Sequence, residues 1–561
     1  MCIFGTFRFA RSGTLSDSGM DLTDVYNSSV AWGDIDNDGD FDLAIMGWDG
    51  TNRYFQIYKN GVNKRLTLSQ SLTGVSHGCL SFADYDRDSD LDLAVTGKIT
   101  EGYGTTKIYQ NDGKGNFSDS GIQIIDVYTS SLAWGDYDND GDLDLALIGA
   151  RMGAPGIVAK IYKNKGNSTF EDSGITDLTP VASGSVAWAD YDNDGWLDIA
   201  ICGGSIGGYV CEIWKNDGDG SFTKTDDLTG VYNSSLAWGD YNNDGWLDIA
   251  ICGDSTGGYI LEIWKNDGDG TFTKTNDLTG VYNSSLAWGD YDYDNDGNLD
   301  LVVIGLTSSE TPSSKVYKNS GSPAYTDTGQ SLEDVEKGSV AWCDYDGDKD
   351  IDLALTGYSD SGVVTKIYKN AESPNSLPNP PDSSQFETTY DTTTKQLTIS
   401  WPAGLDSETP VDGLYYNFRI GSESGKDDLV AARYGSPLLG NFISKSTAPV
   451  SGKQTRTFSL YAKGYYWSVQ AIDTGLGCSW SEESTEGGWS EEVHYEDTTP
   501  PPAPETPTDE GDYTYNTTIR FSWTQNNPDP ETAIYNYRLQ VRSEDGTIFD
   551  GSVGNVKSYN V

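Results

Sequence analysis

The sequence predicts an all-β protein, a seven-bladed β-propeller followed by immunoglobulin-like β-sandwich domains. Three observations predict it. A unit of about fifty residues returns seven times before residue 372. Every copy holds one acidic nonapeptide between two apolar strands. The repeat then stops at a proline-rich stretch, beyond which the strand signals are spaced differently.

The phrase VYNSSVAWGDIDNDGDFDLAIMG at 25–47 returns as VYTSSLAWGDYDNDGDLDLALIG at 127–149 and VYNSSLAWGDYNNDGWLDIAICG at 231–253. Each copy opens with an apolar strand ending in Ala-Trp or its equivalent. The acidic loop follows, then a strand of the Leu-Asp-Leu-Ala-Leu type. A Gly-rich turn leads to a third strand such as KIYKN, and a second turn to a short fourth strand such as GTFTKT. Four short antiparallel strands in one repeat make one propeller blade. The seventh repeat has only three strands, ending at KIYKN (366–370). TLSDSG at 14–19 matches NFSDSG at 116–121, so the N-terminal segment is expected to supply the missing strand and leave the ring without free edges.

The loops have the form Asp-x-Asp-x-Asp-Gly-x-x-Asp. Alternate carboxylates at positions 1, 3 and 5 can converge on one point, Gly at position 6 permits the turn, position 7 offers its carbonyl and position 9 closes the shell. The expected ligands are Asp34, Asp36, Asp38, Asp40 and Asp42 in the first copy and Asp84, Asp86, Asp88, Asp90 and Asp92 in the second. The third offers Asp136, Asp138, Asp140, Asp142 and Asp144, and the fourth Asp190, Asp192, Asp194, Trp196 and Asp198. The fifth offers Asp240, Asn242, Asp244, Trp246 and Asp248. The sixth carries two extra residues; opened at Asp292 to align Gly297, it offers Asp292, Asp294, Asp296, Asn298 and Asp300, with Asp290 as a spare. The seventh offers Asp344, Asp346, Asp348, Asp350 and Asp352.

Four carboxylates converging without a cation would repel one another, so the expectation is Ca²⁺, up to seven ions. Position 12 is apolar in every copy, which excludes an EF-hand. Ser89 and Lys349 stand where position 6 wants Gly.

Composition narrows the function classes. The chain has 561 residues and a formal charge of -50, from 86 acidic and 36 basic residues. That excludes nucleic-acid binding through a basic face. Abundant Gly (65), Tyr (35) and Trp (16) suit an all-β chain. No run of about 18 apolar residues is present for a transmembrane helix. The start, MCIFGTFRFARSG, does not read as a signal peptide, so extracellular residence is argued from other features. The seven cysteines show no CxxC spacing and no zinc pattern. Cys202 and Cys211 flank a Gly-rich turn and could face each other across a hairpin; the simpler expectation is two small buried apolar residues.

The repeat resembles the FG-GAP/VCBS family, best known from the integrin α-subunit head, in its DxDxDGxxD loops and the Leu-Asp-Leu strand that follows. The resemblance covers roughly residues 1–372. It implies a seven-bladed propeller with calcium in loops on one side of the disc, in secreted and cell-surface proteins used for adhesion or ligand binding. Integrin-type subunit pairing is not implied, because the Phe-Gly and Gly-Ala-Pro cassette is poorly kept. Beyond a linker at 373–382, LTISW (397–401), LYYNFRI (414–420) and GYYWSVQAID (464–473) resemble a fibronectin type III-like sandwich over 383–498. Trp401 is at the core Trp position and Tyr465 at the corner Tyr position. A second Pro-rich linker at 499–507 precedes an incomplete copy over 508–561.

Trp32, Phe82, Trp134, Trp188, Trp238, Trp288 and Trp342 recur once per blade and are read as blade-to-blade packing. Trp196 and Trp246 replace the polar residue at loop position 7 and could be exposed there; stacking on a sugar is the lesser reading. Asn27, Asn116, Asn167, Asn233, Asn283 and Asn516 lie in N-x-Ser/Thr sequons, read first as turn chemistry. The only histidines, His77 and His494, lie in no catalytic motif, so no enzymatic activity is expected. The sequence thus reads as a secreted or cell-surface adhesion protein whose partner is an extracellular protein or glycan. Two alternatives stay open: a non-catalytic part of an extracellular polysaccharide-active enzyme, and a subunit of a surface layer or filament assembling through the sandwiches.

Overall fold

The computed structural model describes residues 14–61, 63–152, 156–166, 168–292, 297–321, 325–371, 376–391, 396–407, 409–424, 426, 428–430, 453–459, 464–474, 493–496, 520–522, 538–543, 546–552 and 558–560. The described residues hold strands, turns and two short 3₁₀ segments.

Residues 16–369 form seven four-stranded antiparallel units. Blade one runs Tyr26–Gly33, Asp42–Trp48, Arg53–Lys59 and Thr67–Val75. Blades two and three repeat this order from Leu80 and from Tyr128. Blades four, five and six form one continuous sheet, because Phe222–Gly239 and Phe272–Gly289 each serve as the outer strand of one blade and the inner strand of the next. In blade seven the outer strand is Ser16–Asp17, with Ser16 opposite Lys369 and Asp17 opposite Tyr368. The chain start and the seventh repeat therefore share one sheet.

The inner strands would be bare edges if nothing covered them. Three repeated devices join them. Each of the six inner-strand tryptophans stacks on the tyrosine of the preceding loop, as Trp134 does on Tyr85 at 6.1 Å and 7°. Trp134 also donates its indole N–H to the Ser81 carbonyl of the blade before, and Trp188 does the same to Ala133. Inner-strand serines accept backbone N–H groups from the next blade, Ser29 from Leu80 and Ser131 from Val186. Blades seven and one are joined likewise, Ser339 accepting from Val30.

The third device is a bulge. At the same place in each blade, ahead of the inner strand's Ala-Trp segment, one non-glycine residue is left-handed: Asn27, His77, Thr129, Ser183, Asn233, Asn283 and Lys337, at φ 44–55°. The bulge turns the peptide toward its neighbour, so Asn27 N–H reaches Lys337 O, His77 N–H reaches Asn27 O and Thr129 N–H reaches His77 O. Asn tolerates this conformation best, which accounts for the NSS sequons at 27, 233 and 283 as backbone geometry.

The inner strands surround a channel with a cavity of about 250 Å³. Tyr415, from the C-terminal sandwich, lines it as well.

The sandwich has two three-stranded sheets. One pairs Glu387–Asp391, Gln396–Pro402 and Lys453–Phe458; the other pairs Tyr415–Gly421, Gly464–Ile472 and Val493–Glu496. Leu397, Ile399 and Trp401 of the first meet Phe418, Trp467 and Val469 of the second, all fully buried. The proposed second sandwich lies mostly outside the described residues.

Cys202 and Cys211 correct an expectation. They are register partners on Asp198–Ser205 and Gly208–Asn216 and form a disulfide. The hairpin register places both side chains on the same face. Cys79, Cys252 and Cys343 are not in disulfides.

Candidate metal centres

Each acidic loop starts where the inner strand ends, so all seven sit on one face of the disc. The loop is folded by its own carboxylates. In the first, Asp34 Oδ1 accepts from Asp38 N–H and Oδ2 from Gly39 N–H, both at 3.1 Å. The same pair of bonds recurs on Asp84, Asp136, Asp240 and Asp344. Position 5 then accepts from position 7, as Asp140 Oδ1 does from Asp142 N–H.

Carboxylate oxygens converge within 4.8 Å of one another in Asp34/Asp36/Asp42, Asp84/Asp86/Asp92, Asp136/Asp138/Asp144, Asp190/Asp192/Asp194 and Asp344/Asp346/Asp348/Asp352. Such clusters can hold a metal ion.

Position 3 shows how the loops fit one. In blade one Lys59 pairs with Asp36 Oδ2 at 3.0 Å, while buried Oδ1 has no hydrogen-bond partner. Asp138 and Asp346 repeat this with Lys163 and Lys369, and Asp86 with Gln110 at 2.6 Å. In all four, Oδ2 is held from outside and Oδ1 is left over. Asp190 Oδ1 and Asp92 Oδ2 are also unpartnered, on residues that are 3% and 0% exposed. Orphaned buried carboxylate oxygens are costly unless a cation takes them.

Position 9 is fixed by an asparagine at the end of the third strand. Asn216 N–H donates to Asp198 Oδ1 at 2.8 Å, and its side-chain amide donates to Tyr137 O of the preceding loop and Leu197 O of its own. Asn60, Asn111, Asn164, Asn266, Asn319 and Asn370 repeat all of this. Position 4 adds a lateral tie. Asn37 donates to Asp90, Arg87 pairs with Asp142 at 2.9 Å, and Asn139 and Asn193 donate to Gly195 O and Gly245 O. The sequence signal for these Asn and Lys partners is a Lys-Asn dipeptide that recurs at a fixed offset in six third strands.

The electrostatics agree with the geometry. Burial pushes the Asp42 carboxyl up to about 8 and those of Asp92 and Asp352 to about 9, with neighbouring carboxylates adding to the shift. Asp144, Asp198 and Asp300 are raised well above the usual range for the same reasons. A divalent cation would reverse this by favouring the ionised form.

Two expectations need revision here. The sixth loop opens at Asp290, not Asp292. Asp290 follows Trp288-Gly289 as Asp34 follows Trp32-Gly33. Tyr291 N–H donates to Asp300 Oδ2 and its ring stacks on Trp342, as position 2 does elsewhere. Lys318 pairs with Asp292, as the lysines pair with position 3. The strand packing fixes where the loop opens, so the two extra residues fall inside it. Asp294 and Asp296 lie outside the described residues. Trp196 and Trp246 are half-buried rather than projecting, and their indoles lie over Gly218 and Gly268, with no room for a Cβ there. The position-7 acids Asp40 and Asp142 spend their side chains on Lys64 and Arg87.

Position 6 is left-handed in every described loop from the first to the fifth and in the seventh, including Ser89 at φ 70° and Lys349 at φ 71°. Ser89→Gly and Lys349→Gly should each raise stability by about 1 kcal/mol, read as a higher urea midpoint at unchanged slope. No gain would mean the turn is unstrained as it stands.

A disc of four-stranded blades, each with an acidic loop after its inner strand, defines a class of repeat propeller. The FG-GAP-like repeat family matches over residues 34–95, 84–147, 152–201, 240–294 and 292–355. The repeat region of this chain belongs to that family. No curated protein matches the chain in sequence. A crystal structure of a protein from Lactobacillus plantarum is similar at a TM-score of 0.31 and 12% identity, covering 63% of this chain and 98% of that one. That likeness is too low to bear on function.

Proposed function

We propose that this chain is an extracellular, non-catalytic ligand-binding or adhesion protein whose propeller loops hold structural calcium. The observation that supports the metal most directly is the repeated position-3 aspartate, with one oxygen held from outside and the other orphaned beside two more carboxylates. The donors are all oxygen, from several carboxylates on a short loop, which suits a hard cation with high coordination number. Positions 1, 3, 5 and 9 are the proposed side-chain ligands, with Asp290 and Asp292 taking positions 1 and 3 in the sixth loop. Calcium would neutralise the carboxylates and pin each inner strand to the next.

Extracellular residence is supported by the Cys202–Cys211 disulfide and by the family. No helix among the described residues is long and apolar enough to cross a membrane. The two three-stranded sheets over 387–496 support a fibronectin type III-like spacer. The ligand is an extracellular protein or a glycan. The face away from the metal loops offers aromatic contact area in Tyr26 stacked on Trp48, Tyr209 on Tyr232, and Tyr259 beside Tyr282. Probing the chain in calcium against arrays of glycans and of extracellular-matrix proteins tests this reading. Retention on either array that is lost in Trp48→Ala supports it, and no retention on both overturns the adhesion role.

A further inference from the structure

The sandwich rests on the metal loops. Arg456, on Lys453–Phe458, donates from Nη1 to Asp190 Oδ2 at 3.2 Å and from Nη2 to Asn139 Oδ1 at 3.1 Å. The Arg456 and Asp190 side chains are both 2% exposed. Ser459 N–H donates to Asn139 O at 2.7 Å. The Tyr415 hydroxyl accepts from Asp240 N–H at 3.1 Å. Thr474 takes Asp290 N–H on its carbonyl and donates its hydroxyl to Asp290 Oδ2, each at 3.1 Å. Arg87 in loop two donates to Leu429 O at 3.3 Å. Gly413 lies so close to the Asn243 side chain that a Cβ there would stand 2.4 Å from its Oδ1.

These contacts fall on the loops' first and fourth positions, the residues that shape the carboxylate cluster. They reach loops two to six. Burial divides the loops in the same way. Position 1 is 0–3% exposed in loops two to six, at Asp84, Asp136, Asp190, Asp240 and Asp290. Asp34 in loop one and Asp344 in loop seven are only half-buried.

We propose that the propeller's cation sites form two classes, five covered by the sandwich and two open, and that sandwich docking and occupancy of the covered sites stabilise each other. This rests on the calcium reading above. Burying several carboxylates away from water is costly unless their charge is compensated. In loop four, Asp190, Asp192 and Asp194 pair with Lys215 and Arg456, and Asp198 feels the charge of all three, so four carboxylates against two cations leave two negative charges for one divalent cation to cancel. Arg456 and the Gly195 N–H share Oδ2 of Asp190 and leave Oδ1 without a hydrogen bond in the carboxylate cluster, so Arg456 positions a ligand while one oxygen stays open to the ion. A docked sandwich orders the loops for calcium, and calcium removes the charge that opposes docking. By reciprocity, each must strengthen the other by the same factor.

The test mixes calcium-loaded full-length chain with an excess of fluorescent chelator in a stopped-flow instrument. Release is expected in two phases, the faster from the open loops. Arg456→Met and Tyr415→Phe should each speed the slower phase, Arg456→Met on the order of 10-fold, and leave the faster phase unchanged. Small-angle scattering should show the radius of gyration rising when calcium is stripped. A single release phase, or a slow phase indifferent to both substitutions, overturns the two-class proposal while leaving calcium binding intact. So does an unchanged radius of gyration once the calcium is gone. No chelatable calcium at all overturns the underlying calcium reading instead.

Discussion

Removing calcium from the folded chain with EDTA lowers its melting temperature by on the order of 20 °C. A cation that binds only the folded loops adds about 2.7 kcal/mol per site at a free concentration a hundred times its dissociation constant. A domain of this size shifts by about 2 °C per kcal/mol, so four occupied sites account for the fall. The physical source is the orphaned oxygen set of Asp36, Asp86, Asp138, Asp190 and Asp346, which a bound cation would satisfy. Scanning calorimetry with excess calcium and with EDTA measures it, and coincident melts would remove the metal assignment.

The loss is pH-dependent, with a sign that can be worked out. Without a cation, Asp42 titrates at about 8 and Asp92 and Asp352 at about 9, against 3.8 for the ordinary group. Between pH 4 and those values the folded, stripped chain holds protons that the unfolded chain has released. Its stability therefore falls as pH rises, by about 1.4 kcal/mol per unit for each such carboxyl. In calcium the same carboxylates are ionised, and protons compete with the metal as pH falls. The gap between loaded and stripped melts should thus widen from pH 5.5 to pH 8. A stripped melt that rises over that range would contradict it.

What the sequence made legible is what it repeats. The acidic loops stand at a fixed offset from Ala-Trp, so their position between two strands could be read, and so could the burial of Trp134 and its equivalents. The N-terminal segment declared itself by copying an outer strand. In the sixth loop the two ends of the sequence pattern conflict. Gly297 and Asp300 align from the far side, and Trp288 from the near side. Packing of Trp288 and Tyr291 against neighbouring blades decides for the near side. Lys215 and Asn216 were visible as a repeated dipeptide, but their role depends on a third strand folding back over the loop, a register no offset along the chain reveals. Cys202 and Cys211 likewise needed the hairpin register. Arg456 had no sequence signal at all: its meaning lies in the docking of one domain on another.

Asn216→Ala should cost about 2–5 kcal/mol, more than any exposed polar substitution in the repeats. Asn216 is 1% exposed. Its amide donates to Tyr137 O at 2.7 Å and Leu197 O at 3.1 Å, and its Oδ1 accepts from Gly218 N–H at 3.0 Å. Alanine leaves two buried carbonyls and one half-buried N–H unpaired, and the cost is set by the two carbonyls, at about 1–3 kcal/mol for each buried orphan. The Asn216 N–H to Asp198 survives the change, so position 9 stays tethered while the bridge between loops three and four is lost. The effect should therefore reach two cation sites at once, lowering the calcium affinity of adjacent loops from a residue that ligates neither. Asn116→Ala provides the control. That residue is exposed and bonds only within its own turn, to Asp112, so its loss should stay within about 0.5 kcal/mol. Urea unfolding of both variants in calcium compares them directly. Equal losses would mean that the carboxylates, once loaded, hold neighbouring blades together without the asparagine bridge.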